Sequence, residues 1–183
     1  ELLTPGMKLT IAIDDISIPL PPMQSPDIRQ LVLEEVIELA ARQGVEDVKL
    51  TMANSLHRRM TADEIKHAVG ERVFRSFYPK DLKNHDAEDP ENLAYVGKTD
   101  QGEEVEINKR AMESDLLIYV NINLVAMDGG HKSVPVGLAS YRSVKHHHNV
   151  HTMLHSKSYM DPRPGRSAIH DSCRRMGDVL KAN

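Results

Sequence analysis

A strand–helix–strand pattern across Met7–Met52 constrains this chain more than any other feature. Met7–Ile13 (MKLTIAI) is short, apolar-rich and bounded by Gly6 and Asp14, which predicts a strand. Pro19, Pro21 and Pro22 then keep a helix from starting at once. Ser25-Pro26-Asp27 predicts a helix start, with Ser25 as N-cap, Pro26 at the first helical position and Asp27 in the first turn. Ile28, Leu31, Val32, Val36, Leu39 and Ala40 keep helical spacing, and Gly44 ends the element. Val48, Leu50 and Met52 alternate as a second strand. Strand, helix and strand over this length make a βαβ unit with parallel strands and a right-handed crossover.

Later segments extend the pattern. Thr61-Ala-Asp-Glu64 is a capping box that opens a short helix ending near Gly70. Glu71–Pro90 reads as irregular. Leu93–Val96 and Glu103–Ile107 flank Thr99-Asp-Gln-Gly102 and predict a hairpin. Lys109–Ser114 offers one or two helical turns, Asp115–Val120 a third buried strand, and Gly165–Lys181 a last helix. A further helix is expected to start near Ser140 and run through the histidines that follow. The expectation is an α/β fold: a Rossmann-like, mostly parallel sheet flanked by helices. The 183 residues suit one domain spanning 1–183 with its own core.

Composition narrows the function classes. A net charge of −4 gives no reason to expect nucleic-acid or membrane binding. No apolar run approaches the ~18 residues needed to span a bilayer. The lone Cys173 excludes an intrachain disulfide and fits a reducing, cytoplasmic setting. Its helical neighbours Ile169, Met176 and Leu180 are apolar, so packing is its default role.

Three polar segments follow the three strands and carry Asp15, His57 and Lys132. A parallel sheet brings its carboxyl ends to one edge, where open α/β sheets bind ligands. Gly129 and Gly130 precede Lys132 and let backbone N–H groups approach a ligand closely. Lys132 itself reads either as a point charge for a phosphate or carboxylate, or as a solvated lysine after a glycine turn. His57 has the residue type for proton transfer near neutral pH, or caps the helix that follows. His146, His147, His148, His151 and His155 crowd one segment. On a continuous helix His147, His151 and His155 would share a face able to bind zinc, or would form a solvated polar face.

These segments resemble, in order, the motifs of the nickel-pincer-nucleotide-dependent lactate racemase family. GGHKSVPVGLASY (Gly129–Tyr141) resembles its GGRKSVLPGIASY-type loop, and INKRAMESDLLI (Ile107–Ile118) its approach to that loop. ANSLHRRMT (Ala53–Thr61) is similar to ATGxHRPxT, NHDAED (Asn84–Asp89) to an NHD segment, and DDISIPLP (Asp14–Pro21) to SDHTRPVP. The resemblance runs from about Leu9 to the chain's end. It implies a racemase or epimerase of 2-hydroxy acids that removes a hydride to the cofactor and returns it. It implies His57 as the acid/base group, with Asp15 hydrogen-bonding near it or near the substrate. It implies Lys132, beside Gly129 and Gly130, as the covalent attachment of a nickel pincer nucleotide, and His148 as a ligand to nickel. It also implies cofactor-biosynthesis proteins as partners, a small hydroxy acid as substrate, and a second, C-terminal domain, so that the chain reads as a fragment. His85 and Asp86 match the NHD segment as structural loop residues.

Two positions depart from the motifs. The family's carboxylate-gripping arginine falls at Ile18, and the segment of its second acid/base histidine reads Asn121-Ile-Asn-Leu-Val-Ala126. The departures point to a substrate other than lactate, or to a non-catalytic metal- or ligand-binding α/β module of the same family.

Overall fold

The computed structural model describes residues 2–16, 25–122, 130–158, 160–161 and 163–182. Ile18, Asn123 and Gly129 lie outside the described residues, as do Pro19, Pro21 and Pro22. The chain gathers into two compact units, Glu1–His85 with Glu113–Val120, and Asp86–Met112 with Asn121–Asn183.

In the first unit β1 (Lys8–Asp14), α1 (Ile28–Arg42), β2 (Asp47–Ala53), α2 (Ala62–Phe77) and β3 (Leu82–Asn84) follow one another, and β6 (Leu116–Val120) returns later. The four strands form one parallel sheet in the order β3-β2-β1-β6. Parallel pairing needs a crossover, which α1 and α2 supply. Both crossovers step the same way along the sheet, so right-handed connections put α1 and α2 on one face, where they touch. Leu9, Ile11 and Ile13 of β1 join Leu33, Ala40, Leu50, Met52, Ile65, Val69 and Leu82 in the core on that face. Residues Leu9–Ile13 are all buried, as expected of a central parallel strand covered on both faces.

The parallel α/β expectation holds, with three corrections in this unit. Asp27, rather than Ser25, is the N-cap of α1, because its carboxylate accepts from Arg29 N–H at 2.8 Å and so serves the helix's unpaired donors. The expected break at Gly70 is present, at φ +81°, but a second helical stretch follows it within α2 and runs to Phe77. Glu71–Pro90 is therefore not irregular throughout, and it also contains β3, which pairs with β2 through Leu50↔Leu82 to Met52↔Asn84. The expected third buried strand, β6, lies at a sheet edge. It is half-buried from Leu116 to Tyr119, because only β1 flanks it.

The second unit holds β4 (Leu93–Lys98), β5 (Glu104–Asn108), α3 (Lys109–Met112), α4 (Val134–Gly137), α5 (Tyr141–Val144), α6 (Val150–Leu154) and α7 (Ala168–Ala182). The expected hairpin is β4 and β5, antiparallel, with a bulge between Tyr95 and Gly97. α7 packs on both strands and buries Ile169, Cys173 and Met176. Glu103 is buried at the turn, where Thr99 Oγ1 donates to it at 2.7 Å and Arg175 Nε at 2.9 Å. Among the described residues no helix is long and apolar enough to cross a membrane.

Candidate functional site

The first unit places Asp15 and His57 side by side. β1 and β2 are neighbours in register, Asp14 opposite Ala53, so the residues just beyond them emerge together at the sheet's carboxyl edge. His57 Nδ1 lies 2.9 Å from Asp15 Oδ2. The Asp15 side chain is 5% exposed and that of His57 44%, so a buried carboxylate holds a half-exposed imidazole. With Nδ1–H donating to the carboxylate, the neutral ring carries its lone pair on Nε2. The hydrogen bond to Asp15 pushes the His57 pKa above its ordinary value, burial works against that shift, and the Asp15 charge adds to it.

Other side chains, of which Arg29 carries no motif signal, hold this pair in place. Arg29 is 1% exposed and forms a two-point ion pair with Asp27, Nε to Oδ1 at 2.9 Å and Nη2 to Oδ2 at 2.7 Å. Its Nη1 donates to the carbonyls of Asp14 at 2.8 Å and Asp15 at 3.3 Å, fixing the chain where β1 ends. Asn84 clamps the far end of the His57 loop: Met60 N–H donates to its Oδ1 at 3.0 Å, and its Nδ2 donates to the Met60 carbonyl at 2.9 Å. Within the loop His57 N–H donates to the Asn54 carbonyl at 2.7 Å, and Ser55 takes φ +48°, uncommon for a residue with a side chain. Asn54 Oδ1 is buried without a hydrogen-bond partner among the described residues. Arg58 adds a two-point pair to Glu64, at 2.8 and 2.6 Å, which holds the Glu64 carboxyl down at about 2. The NHD segment thus contributes through Asn84. His85 is buried at 1% exposure and its N–H donates to the Met52 carbonyl at 2.9 Å, while Asp86 Oδ1 accepts from Glu88 N–H at 3.1 Å.

The second unit carries Gly130, Lys132 and His148. Gly130–Lys132 is a single 3-10 turn that leads into α4, and Gly130 has φ +61°, the left-handed conformation glycine was expected to supply. α7 lies against this turn at Gly177, where a Cβ would collide with the His131 ring and meet the His131 carbonyl at 3.1 Å. His131 Nε2 also lies 3.5 Å from Asp178 Oδ1. Buried His170 of α7 has its pKa lowered, first by burial and then by the charge of Lys132, and among the described residues its Nε2 has no hydrogen-bond partner. A lone histidine on an otherwise packed helix face gave no sign of this in the sequence. Cys173 beside it is wholly buried, and burial pushes its thiol up to about 12, in keeping with a packing role.

The expected helix through the histidines is replaced by two short ones. Asn149 interrupts it: its Nδ2 donates to the carbonyls of Lys145 and His146, both at 2.9 Å, and its Oδ1 accepts from Thr152 N–H at 3.0 Å to cap α6. His147 is therefore buried between the helices, while His151 and His155 are exposed, their rings tilted at 31° with centroids 4.2 Å apart. The shared zinc-binding face does not form, and among the described residues no group of three or more His, Cys, Asp or Glu could hold a metal. His148 is exposed, and its Nδ1 lies 2.6 Å from His147 Nδ1. His147 Nε2 lies 2.9 Å from the Pro135 carbonyl, and burial pulls the His147 pKa down to about 4. One nitrogen of the exposed His148 imidazole faces His147, and an imidazole nitrogen is a donor type that nickel accepts.

The model of the lactate racemase N-terminal domain matches residues 1–161. The chain is similar to the lactate racemase of Thermoanaerobacterium thermosaccharolyticum, 30% identical over 115 residues, which is 61% of this chain and 26% of that protein. It is similar to the lactate racemase of Lactiplantibacillus plantarum, 29% identical over 106 residues, 56% of this chain and 24% of that protein. The chain thus spans about a quarter of the length of the curated relatives it matches. Its fold is similar to that of the lactate racemase apoprotein of T. thermosaccharolyticum, with a TM-score of 0.71 at 24% identity over 97% of this chain and 40% of that one. A crystal structure of a Thermotoga maritima protein gives a TM-score of 0.71 at 18% identity, over 97% of this chain and 44% of that one.

Proposed function

Since this chain belongs to the lactate racemase N-terminal domain family, we propose that it is the N-terminal part of a nickel-pincer-dependent racemase or epimerase of a small 2-hydroxy acid. The observation that carries this reading is the Asp15–His57 pair at the carboxyl edge of the parallel sheet. A buried carboxylate that fixes Nδ1 leaves Nε2 as the proton-exchanging atom of a half-exposed ring. In the proposed reaction His57 Nε2 takes the substrate's hydroxyl proton and gives it back, and Asp15 holds the imidazolium that forms in between. Lys132 tethers the cofactor through its side-chain nitrogen, Gly130 lets the backbone approach it, and His148 gives an imidazole nitrogen to nickel. Gly129 has the same role as Gly130 on the strength of the motif. When bound, the nickel pincer nucleotide would supply the hydride-transfer chemistry. Cofactor-biosynthesis proteins are the partners this reading requires, and the single cysteine supports a reducing, cytoplasmic setting.

Ile18 and the histidine-free segment Asn121–Ala126 support a substrate other than lactate. An apolar side chain cannot grip a carboxylate at two points, and asparagine recognises hydroxyls without shuttling protons. The same segment favours a second reading, a non-catalytic ligand- or metal-binding module of this family. A panel of 2-hydroxy acids and polyhydroxy acids, followed by chiral chromatography on the cofactor-loaded protein, separates the two. The racemase reading expects stereoisomer interconversion of at least one larger or more hydroxylated acid, lost in His57→Asn. No interconversion by protein with a confirmed nickel load would favour the binding module.

A further inference from the structure

We infer that Arg29 is a positioning residue for proton transfer: its guanidinium, anchored on Asp27, holds the Asp14–Asp15 backbone where the Asp15 carboxylate meets His57 Nδ1. The inference rests on the acid/base reading of His57, and every group in it lies in the first unit of the chain. β1 pairs with β6 as far as Ile13 and with β2 as far as Asp14, so Asp15 is the first residue past the ladder. Sheet pairing therefore does not fix it. Arg29 Nη1 supplies donors at this point, to the carbonyls of Asp14 at 2.8 Å and Asp15 at 3.3 Å. The other side of the same plane, Nε and Nη2, is locked to the two oxygens of Asp27. Asp27 is in turn held as the N-cap of α1, its Oδ1 accepting from Arg29 N–H. The connection from β1 to α1, which carries Ile18, thus has its two ends joined by one guanidinium.

Stability alone does not call for this arrangement. Both side chains are wholly buried, and a buried ion pair is often no more stabilising than apolar side chains of the same volume. What apolar side chains cannot supply is a rigid fork with donors on two sides. Lysine does not supply it either, because an ammonium is a point charge and cannot span a carboxylate and two carbonyls in one plane. The Asp15 carboxylate is buried and the His57 ring half-exposed, so the position of the ring follows that of the carboxylate. A misplacement of about 1 Å at a reacting group can cost about 100-fold in rate. Two further charged groups act here: the Asp15 charge reaches Arg58, and His67 of α2 acts on Asp27.

The test is the His57 titration, followed by NMR in the full 183-residue chain. Arg29→Lys keeps the buried charge, and Asp27→Asn combined with Arg29→Met removes both charges and keeps an N-cap. Each leaves the net charge unchanged, so a shift reports geometry. In both, the His57 pKa should fall from its raised value toward 6.5 while a cooperative thermal transition is kept. An unshifted His57 titration in folded variant protein overturns the inference. The wild type decides without any variant as well: the Arg29 Nη protons should be individually resolved and slow to exchange, and one averaged, fast-exchanging signal overturns it. In the cofactor-loaded protein Arg29→Lys should lower kcat by about 10- to 100-fold with KM little changed. The acidic limb of its pH profile should move to lower pH together with the titration. Unchanged kcat overturns the positioning role. No interconversion of any acid by the loaded wild type, with the His57 titration shifted as expected in the variants, would instead remove the racemase reading and leave the coupling of Arg29 to Asp15 and His57 established.

Discussion

A single 2.9 Å contact between Asp15 Oδ2 and His57 Nδ1 sets the protonation of the imidazole. The folded-state pKa of His57 is raised above 6.5, first through this hydrogen bond. The pair therefore stabilises the fold fully below 6.5, and that contribution is lost as pH rises through the raised value. The proton-accepting form of His57 is populated only above it. Asp15→Asn, nearly the same shape, should lower the His57 pKa in an NMR titration. Its stability deficit against wild type should be larger below 6.5 than above the raised value. An unmoved titration would mean that Asp15 does not tune His57. Asp15 and His57 were legible because strand ends in a parallel sheet are predictable places for chemistry. Arg29 was not: a helix arginine becomes informative only when its burial against Asp27 and the Asp14 and Asp15 carbonyls is visible.

β3 is three residues long, too short for any alternation, yet it places Asn84 where its side chain can clamp Met60. Asn84→Ala leaves a buried backbone donor and acceptor unsatisfied and should cost about 1–3 kcal/mol of stability. Hydrogen exchange should speed up in residues 54–60 and stay slow in β1. Equal protection in variant and wild type would show that the loop is held by other contacts. The βαβ unit was readable from its apolar strands and from the glycine that ends α1, although α1 starts at Asp27 and leaves Ile28, Leu31, Val32 and Leu39 exposed. The histidine segment was misread for a physical reason. Periodicity suggested a continuous helix, but Asn149 takes the preceding carbonyls and caps the next turn, so local side-chain bonds outweigh propagation.

Across the molecule, one unit holds the Asp15–His57 pair proposed for proton transfer and the other holds the lysine and histidine proposed for the cofactor. The order of motifs along the chain was legible. The packing of α7 against the Lys132 turn was not, because it depends on Gly177 permitting a contact distant in sequence. The proposed attachment of a nickel cofactor to Lys132 is tested most directly by nickel content and peptide mass of the protein co-expressed with the cofactor's biosynthetic enzymes. The expected result is one nickel per chain and a mass increment on the peptide containing Lys132, both absent from Lys132→Ala. An unmodified Lys132 peptide with no bound nickel, under conditions that load an active relative, would contradict it.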